Sequence, residues 1–106
     1  MSTFKHLSVD QAQQLLQDDN CQIVDIRDQQ SYSLNHIEGA THLHNENVAG
    51  FVDAADKNAP LIVYCYHGNS SQGAAQYFAN QGFAEVYSMD GGFEQWRQLY
   101  PSVSDN

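Results

Sequence analysis

Basic residues are scarce in this chain. Its 106 residues include 4 Lys and Arg against 13 Asp and Glu, which gives a formal net charge of −9 at neutral pH. A surface with so few cations attracts neither the phosphates of nucleic acid nor an anionic membrane. We therefore expect neither as a partner, and a small anionic substrate would need a site that is locally attractive.

Long apolar runs and closely spaced cysteines are also missing. No stretch approaches the roughly 18 apolar residues of a membrane span, and the N-terminus shows no basic segment followed by an apolar one. The two cysteines, Cys21 and Cys65, form neither a disulfide framework nor a Cys-x-x-Cys redox motif. These absences predict a cytoplasmic protein whose thiols stay reduced.

Short apolar runs alternate with helical patterns along the whole chain. The predicted strands are residues 4–7, 22–27, 41–44, 61–64 and 86–89. Strands that alternate with helices indicate a parallel sheet covered on both faces. We therefore predict an α/β fold with about five parallel strands. It forms one domain over residues 1–106, with an ordered core at about 4–100 and a frayed C-terminal tail.

Polar residues mark where helices begin. Ser8 and Gln11 have the spacing of a capping box, and Asp28 is placed to cap a short helix. The last helix follows Asp90-Gly-Gly and is expected to carry Trp96 and Leu99 on one apolar face with Phe93.

Two other groups of polar residues invite a functional interpretation. Asp25 and Arg27 point to the same side of the second strand, and we interpret them as a structural ion pair that anchors neighbouring loops. A charged pair at the rim of a site is the alternative. His36, His42 and His44 lie close in sequence, but no second ligand group with metal-motif spacing accompanies them, so no metal site is expected.

The residues with the clearest potential for chemistry lie around Cys65. This residue ends the predicted strand 61–64, and turn and N-cap residues follow it before a helix begins. These residues are Gly68, Asn69, Ser70 and Ser71. In open α/β sheets, ligands bind where a strand ends and a helix begins.

Amide groups of such a loop and the positive end of the helix dipole stabilise an anion. A cysteine at its centre would have a lowered pKa and would act as a nucleophile. The alternative for Cys65 is a small buried hydrophobic residue. Cys21 lacks any such loop, and we interpret it as inert.

Several segments together resemble one known family. They are 24–27 (Val-Asp-Ile-Arg), 31–32 (Ser-Tyr), 36–40 (His-Ile-Glu-Gly-Ala), 61–65 (Leu-Ile-Val-Tyr-Cys), 65–71 (Cys-Tyr-His-Gly-Asn-Ser-Ser) and 90–96 (Asp-Gly-Gly-Phe-Glu-Gln-Trp). From its first helix to Trp96 the chain resembles the single-domain rhodaneses. The segment 65–71 resembles the loop of their GlpE-type thiosulfate sulfurtransferases.

The resemblance implies sulfur transfer without a metal or an organic cofactor. In that family the cysteine thiolate attacks the outer sulfur of thiosulfate, sulfite leaves, and the cysteine keeps a persulfide. Cyanide, or a dithiol such as reduced thioredoxin, then takes the sulfur. By position Cys65 is the sulfur carrier. The implied substrate-binding residues, through loop amides and serine hydroxyls, are Tyr66, His67, Gly68, Asn69, Ser70 and Ser71.

The loop at residues 65–71 differs from that of many rhodaneses in its charge. Many rhodaneses carry Arg or Lys there, whereas this chain has Tyr66 and His67 and no fixed positive charge. Amides and the helix dipole then have to hold the donor, and we expect weak binding of thiosulfate. A persulfide relay protein, or a binding module without efficient thiosulfate turnover, remains the alternative.

Rhodanese-type cysteine phosphatases and arsenate reductases are the other enzyme alternative. They often grip an oxyanion with a wider loop closed by arginine, and a Cys-x5-Arg motif would put that arginine at position 71. The residue there is Ser71, so the planar bidentate donor is missing. This difference favours sulfur transfer.

Overall fold

The computed structural model describes residues 3–105 as a five-stranded sheet flanked by helices. In chain order the elements are β1 (Lys5–Leu7), α1 (Val9–Leu15), β2 (Gln22–Asp25), α2 (Gln29–Leu34), β3 (Thr41–His42), α3 (Val48–Ala54), β4 (Leu61–Tyr64), α4 (Ser70–Asn80), β5 (Val86–Met89) and α5 (Gly92–Leu99). The predicted alternation of strand and helix is confirmed. Met1, Ser2 and Asn106, which the predicted domain includes, lie outside the described residues.

The strand that precedes Cys65 lies in the middle of the sheet. The strand order is β1-β5-β4-β2-β3, and every pairing is parallel. Because all strands run the same way, the carboxyl ends of β2 and β5 flank that of β4. β3 is shorter than the predicted 41–44, since the His44 amide bonds to the side chain of Asn47 (2.7 Å) instead of continuing a ladder.

Alternating side chains build two apolar cores, one on each face of the sheet. Ile62 and Tyr64 of β4 point into one core, and Leu61 and Val63 point into the other. The helix residues that cover them are Ala12, Phe93 and Trp96 on the first face and Val52, Ala75 and Phe78 on the second. Both faces of β4 are therefore buried, which explains its uninterrupted apolar sequence.

Two of the predicted helix starts are confirmed in detail. The Gln11 amide donates to the Ser8 hydroxyl (3.1 Å), and the Ser8 amide donates to the Gln11 side chain (2.8 Å). At α2, the Asp28 carboxylate accepts hydrogen bonds from the amide (3.1 Å) and the hydroxyl (2.8 Å) of Ser31. Each side chain satisfies backbone donors that the first helical turn leaves unpaired.

The prediction for the last helix is only partly right. Phe93 and Trp96 are buried, but Leu99 is 55% exposed. Each three-residue step on a helix falls about 60° short of a full turn, so Leu99 lies about 120° around the helix from Phe93. The apolar face therefore ends before Leu99.

The C-terminal tail, for which we expect fraying, forms hydrogen bonds to the rest of the fold at residues 102–105. Val103 and His36 exchange two backbone hydrogen bonds of 2.9 Å, and the Asp105 amide bonds to the Ser33 carbonyl at 3.0 Å. The indole of Trp96 also donates to the carbonyl of Pro101 (3.0 Å). These bonds hold the tail against α2 and the loop that follows it.

Within residues 3–105, none of the helices has the length and apolar character that a bilayer crossing requires.

Candidate active site

Cys65 lies directly after β4, at the bottom of a surface depression. The depression has a volume of about 320 Å³. It is lined by Ile26, Arg27, Asp28, Cys65, Tyr66, His67, Asn69 and Ser70. Cys65 itself is only 6% exposed. Protein therefore surrounds most of the residue, and its small exposed part borders the depression.

The sulfur of Cys65 accepts hydrogen bonds from loop amides. The amide of Gly68 lies 3.2 Å from Sγ, and that of Ser71, in the first turn of α4, lies 3.3 Å away. These donors, together with the positive end of the α4 dipole, favour a negative charge on the sulfur. The loop amides that the sequence predicts around Cys65 do point at its sulfur.

The pKa of the Cys65 thiol is lowered from its ordinary value by these contacts. Burial alone would raise it, because a charged sulfur loses hydration. The hydroxyl and amide of Ser71 oppose burial, and the amides of Gly68 and His67 add to their effect. The hydrogen bonds outweigh the burial, so the thiolate is available nearer neutral pH than for a free cysteine.

The predicted substrate-binding residues divide into two groups. Gly68 and Ser71 are buried at the sulfur, whereas the other four are exposed around the opening of the depression. Those four are Tyr66, His67, Asn69 and Ser70. Asn69 occupies the N-cap position of α4 without a side-chain cap bond.

The start of α5 braces the Cys65 loop from behind. The amide of Phe93 donates to the carbonyl of Cys65 (2.8 Å), and the amide of Glu94 donates to that of Tyr66 (3.0 Å). With these carbonyls held by α5, the following amides turn toward the sulfur. Gly92, which precedes Phe93, has φ +60°, and a Cβ there would lie 2.4 Å from the Tyr66 carbonyl.

The sequence places Gly91-Gly92 only at a helix start. The paired glycines were the signal for a close backbone approach.

Arg27 lines the depression, but its side chain is buried and its guanidinium is bound to other groups. Its guanidinium bonds to the buried carboxylate of Asp25 (2.7 Å) and to the carbonyl of Asn35 (2.6 Å). It also lies under the ring of Tyr66, 5.2 Å from the ring centre. The interpretation of Asp25 and Arg27 as a structural anchor is therefore confirmed.

The histidines near β3 serve structural contacts. His36 stacks on Tyr32 with 3.9 Å between ring centres and bonds to its carbonyl, and His42 bonds to the carbonyl of Arg27 (2.6 Å). No three His, Cys, Asp or Glu side chains within the described part of the chain converge as a metal site would require.

Cys21 has the environment of an unreactive thiol. It is half-buried, and burial together with the nearby carboxylates of Asp18 and Glu85 raises its pKa to about 11. At neutral pH it therefore stays protonated.

Comparison with known proteins identifies a family for this chain. The family model of the rhodanese-like domain matches residues 8–99. The thiosulfate sulfurtransferase GlpE of Pseudomonas paraeruginosa is 57% identical over 100 residues, which cover 94% of this chain and 90% of that protein. The protein of the same name from Shewanella oneidensis is 56% identical over 98 residues, covering 92% and 97%.

A solved structure shows the same architecture. The solution structure of a rhodanese-like domain from an Anabaena protein has a TM-score of 0.83 and 22% identity, over 93% of this chain and 78% of that one. At this identity the likeness concerns the fold alone.

Proposed function

This chain belongs to the rhodanese family, and on that premise we propose that it is a thiosulfate sulfurtransferase with Cys65 as the sulfur carrier. One observation carries the proposal: the Cys65 sulfur receives two amide hydrogen bonds in a depression at the start of α4. A thiolate in such a site is both stabilised and accessible, as a nucleophile has to be.

In the first half-reaction, the Cys65 thiolate attacks the outer sulfur of thiosulfate. A bond forms between Sγ and that sulfur, while the bond between the two sulfurs of thiosulfate breaks. Sulfite leaves with the electron pair, and Cys65 carries a persulfide anion. The negative charge moves from Sγ to the outer sulfur, and the loop amides that stabilise the thiolate also stabilise this product.

In the second half-reaction, an acceptor attacks the outer sulfur of the persulfide. Cyanide leaves as thiocyanate and restores the Cys65 thiolate. With a dithiol such as thioredoxin, one thiol takes the sulfur and the second displaces it as hydrosulfide, which leaves the acceptor as a disulfide. Atoms and electrons balance in both cases without a cofactor.

The loop residues have different parts in this scheme. Gly68 and Ser71 hold the reacting sulfur, while His67 and Ser70 at the opening are placed to meet the sulfite portion of the donor. The one Arg or Lys in the lining, Arg27, is committed to a buried carboxylate. Backbone donors therefore supply most of the attraction, and we expect modest affinity for thiosulfate.

The free thiols of Cys21 and Cys65 suit a reducing compartment, and we assign the protein to the cytoplasm.

The decisive experiment combines turnover with intact mass. The rate of thiocyanate formation from thiosulfate and cyanide should saturate as the thiosulfate concentration rises. Incubation with thiosulfate alone should raise the intact mass of the protein by one sulfur atom. Cys65→Ser should lose both signals, because a hydroxyl is not ionised at neutral pH. Cys21→Ser, the matched control, should keep both.

The other outcomes are also informative. Sulfur gain without turnover would indicate a persulfide relay that depends on a different donor. If neither signal appears, the enzyme proposal is wrong.

A further inference from the structure

Two fully buried hydroxyl groups are hydrogen-bonded to each other, and one of them belongs to Ser71, whose amide contacts the sulfur of Cys65. Ser71 belongs to the first turn of α4, and Ser88 belongs to β5. Both residues have 0% exposure, and their hydroxyl oxygens are 2.7 Å apart. The amide of Ser71 donates to the Cys65 sulfur (3.3 Å), and a hydrogen bond from the Ser71 side chain is among the causes that lower the pKa of this thiol.

Ser88 is an unusual residue for its position. β5 lies between β1 and β4, and Ser88 pairs in register with Val63 of β4 and His6 of β1. Buried positions of parallel strands are normally apolar, since a hydroxyl taken out of water is costly unless it forms a hydrogen bond. Within residues 3–105, the Ser88 hydroxyl has one hydrogen-bond partner, the Ser71 hydroxyl.

Counting donors decides the direction of this hydrogen bond. Each hydroxyl has one proton to donate and can accept further bonds. If Ser71 donated to Ser88, the proton of Ser88 would lack an acceptor and the Cys65 sulfur would lose a donor. If Ser88 donates to Ser71, the proton of Ser71 is free for the sulfur. Only this second arrangement satisfies every group.

We propose that Ser88 is a positioning residue, which donates to Ser71 and thereby directs the Ser71 hydroxyl proton at the Cys65 sulfur. Its role in turnover rests on the proposed function, whereas its effect on the thiolate does not. A donor that itself accepts a hydrogen bond is polarised and donates more strongly. The chain from Ser88 through Ser71 to Cys65 therefore stabilises negative charge on the sulfur without a cationic side chain.

The test is the pH dependence of Cys65 alkylation by iodoacetamide, followed at the Cys65 peptide by mass spectrometry. This reaction reports the thiolate and needs no thiosulfate, so it is independent of whether the protein turns thiosulfate over. Ser71→Ala should raise the apparent pKa of Cys65 by about one unit, as expected for a lost hydrogen bond to a charged group. Ser88→Ala should raise it by roughly half a unit.

The double variant, Ser71→Ala with Ser88→Ala, tests whether Ser88 changes the pKa of Cys65 through Ser71. If Ser88 acts through Ser71, Ser88→Ala should cause no further shift once Ser71 is alanine. Ser8→Ala is the control for lost stability. It removes the α1 cap, and Ser8 does not line the Cys65 depression, so the titration should be unchanged.

Three results would overturn the proposal: a lower apparent pKa in Ser88→Ala, no change, or a shift that adds fully to that of Ser71→Ala. A lower value would mean that Ser71 donates to Ser88 instead. If the alanine variant does not fold, Ser88→Val is used instead, because valine suits a buried strand. It should raise the apparent pKa of Cys65 by the same amount as Ser88→Ala.

Discussion

Gly92→Ala tests whether α5 holds the Cys65 loop in its reactive shape. Gly92 has φ +60°, in the left-handed region, and a Cβ there would lie 2.4 Å from the carbonyl carbon and oxygen of Tyr66 and 2.6 Å from the amide nitrogen of His67. Ordinary contact begins at 3.4 Å, so the two segments have to separate by about 1 Å (3.4 − 2.4). The obstacle is backbone, which cannot turn aside as a side chain does.

Two costs follow from this geometry. The left-handed conformation costs an alanine about 1–2 kcal/mol. The separation also weakens the bonds from the amides of Phe93 and Glu94 to the carbonyls of Cys65 and Tyr66. A displacement of about 1 Å at a reacting group can lower turnover about 100-fold. We expect that loss in kcat/KM for thiosulfate, with a lower midpoint of urea unfolding.

Gly73→Ala is the matched control. Gly73 lies inside α4, and a Cβ there meets nothing within 4 Å. The change should stabilise the protein by about 0.5–1 kcal/mol and leave turnover intact. Thiocyanate formation and urea unfolding are measured for both variants under conditions where both are folded. If Gly92→Ala retains wild-type turnover within twofold, the bracing argument is refuted.

Two further predictions concern buried ionisable groups. The pKa of Cys21 is raised to about 11 from an ordinary value near 9 by burial, Asp18 and Glu85. Its contribution to stability is therefore complete below pH 9 and is lost as the pH rises toward 11. Urea unfolding should show a steeper loss for the wild type than for Cys21→Ser in this window; equal slopes would contradict the burial argument. Arg27→Gln should destabilise the protein by about 3–5 kcal/mol, because it leaves the Asp25 carboxylate buried without a countercharge. A loss below about 1 kcal/mol in urea unfolding would show that the pair is not a structural anchor.

Features that depend on neighbours in the chain were predictable. Strand and helix periods, the caps at Ser8 and Asp28, and a Gly/Ser loop after a strand each leave a local pattern in the sequence. They were sufficient to place Cys65 at an anion-binding loop.

Features that depend on distant parts of the chain were not predictable in the same way. Fraying is expected of the tail because it is a chain terminus, but backbone bonds to His36 and Ser33 hold residues 103 and 105. Leu99 was assigned to the buried face from its spacing, yet the core ends one turn earlier. In the tail, bonds between distant segments override the local expectation, whereas Leu99 is exposed because three-residue spacing drifts around the helix.

The sequence by itself determined the parallel α/β architecture and predicted which cysteine is the nucleophile, because the first follows from short-range periodicity and the second from the residues of one loop. Only the tertiary structure decided that β5 lies beside β4, which brings Ser88 to Ser71 and Gly92 to the carbonyl of Tyr66. Strand order is set by packing among residues far apart in the chain. The support of the Cys65 sulfur therefore comes from segments that carry no local sign of it.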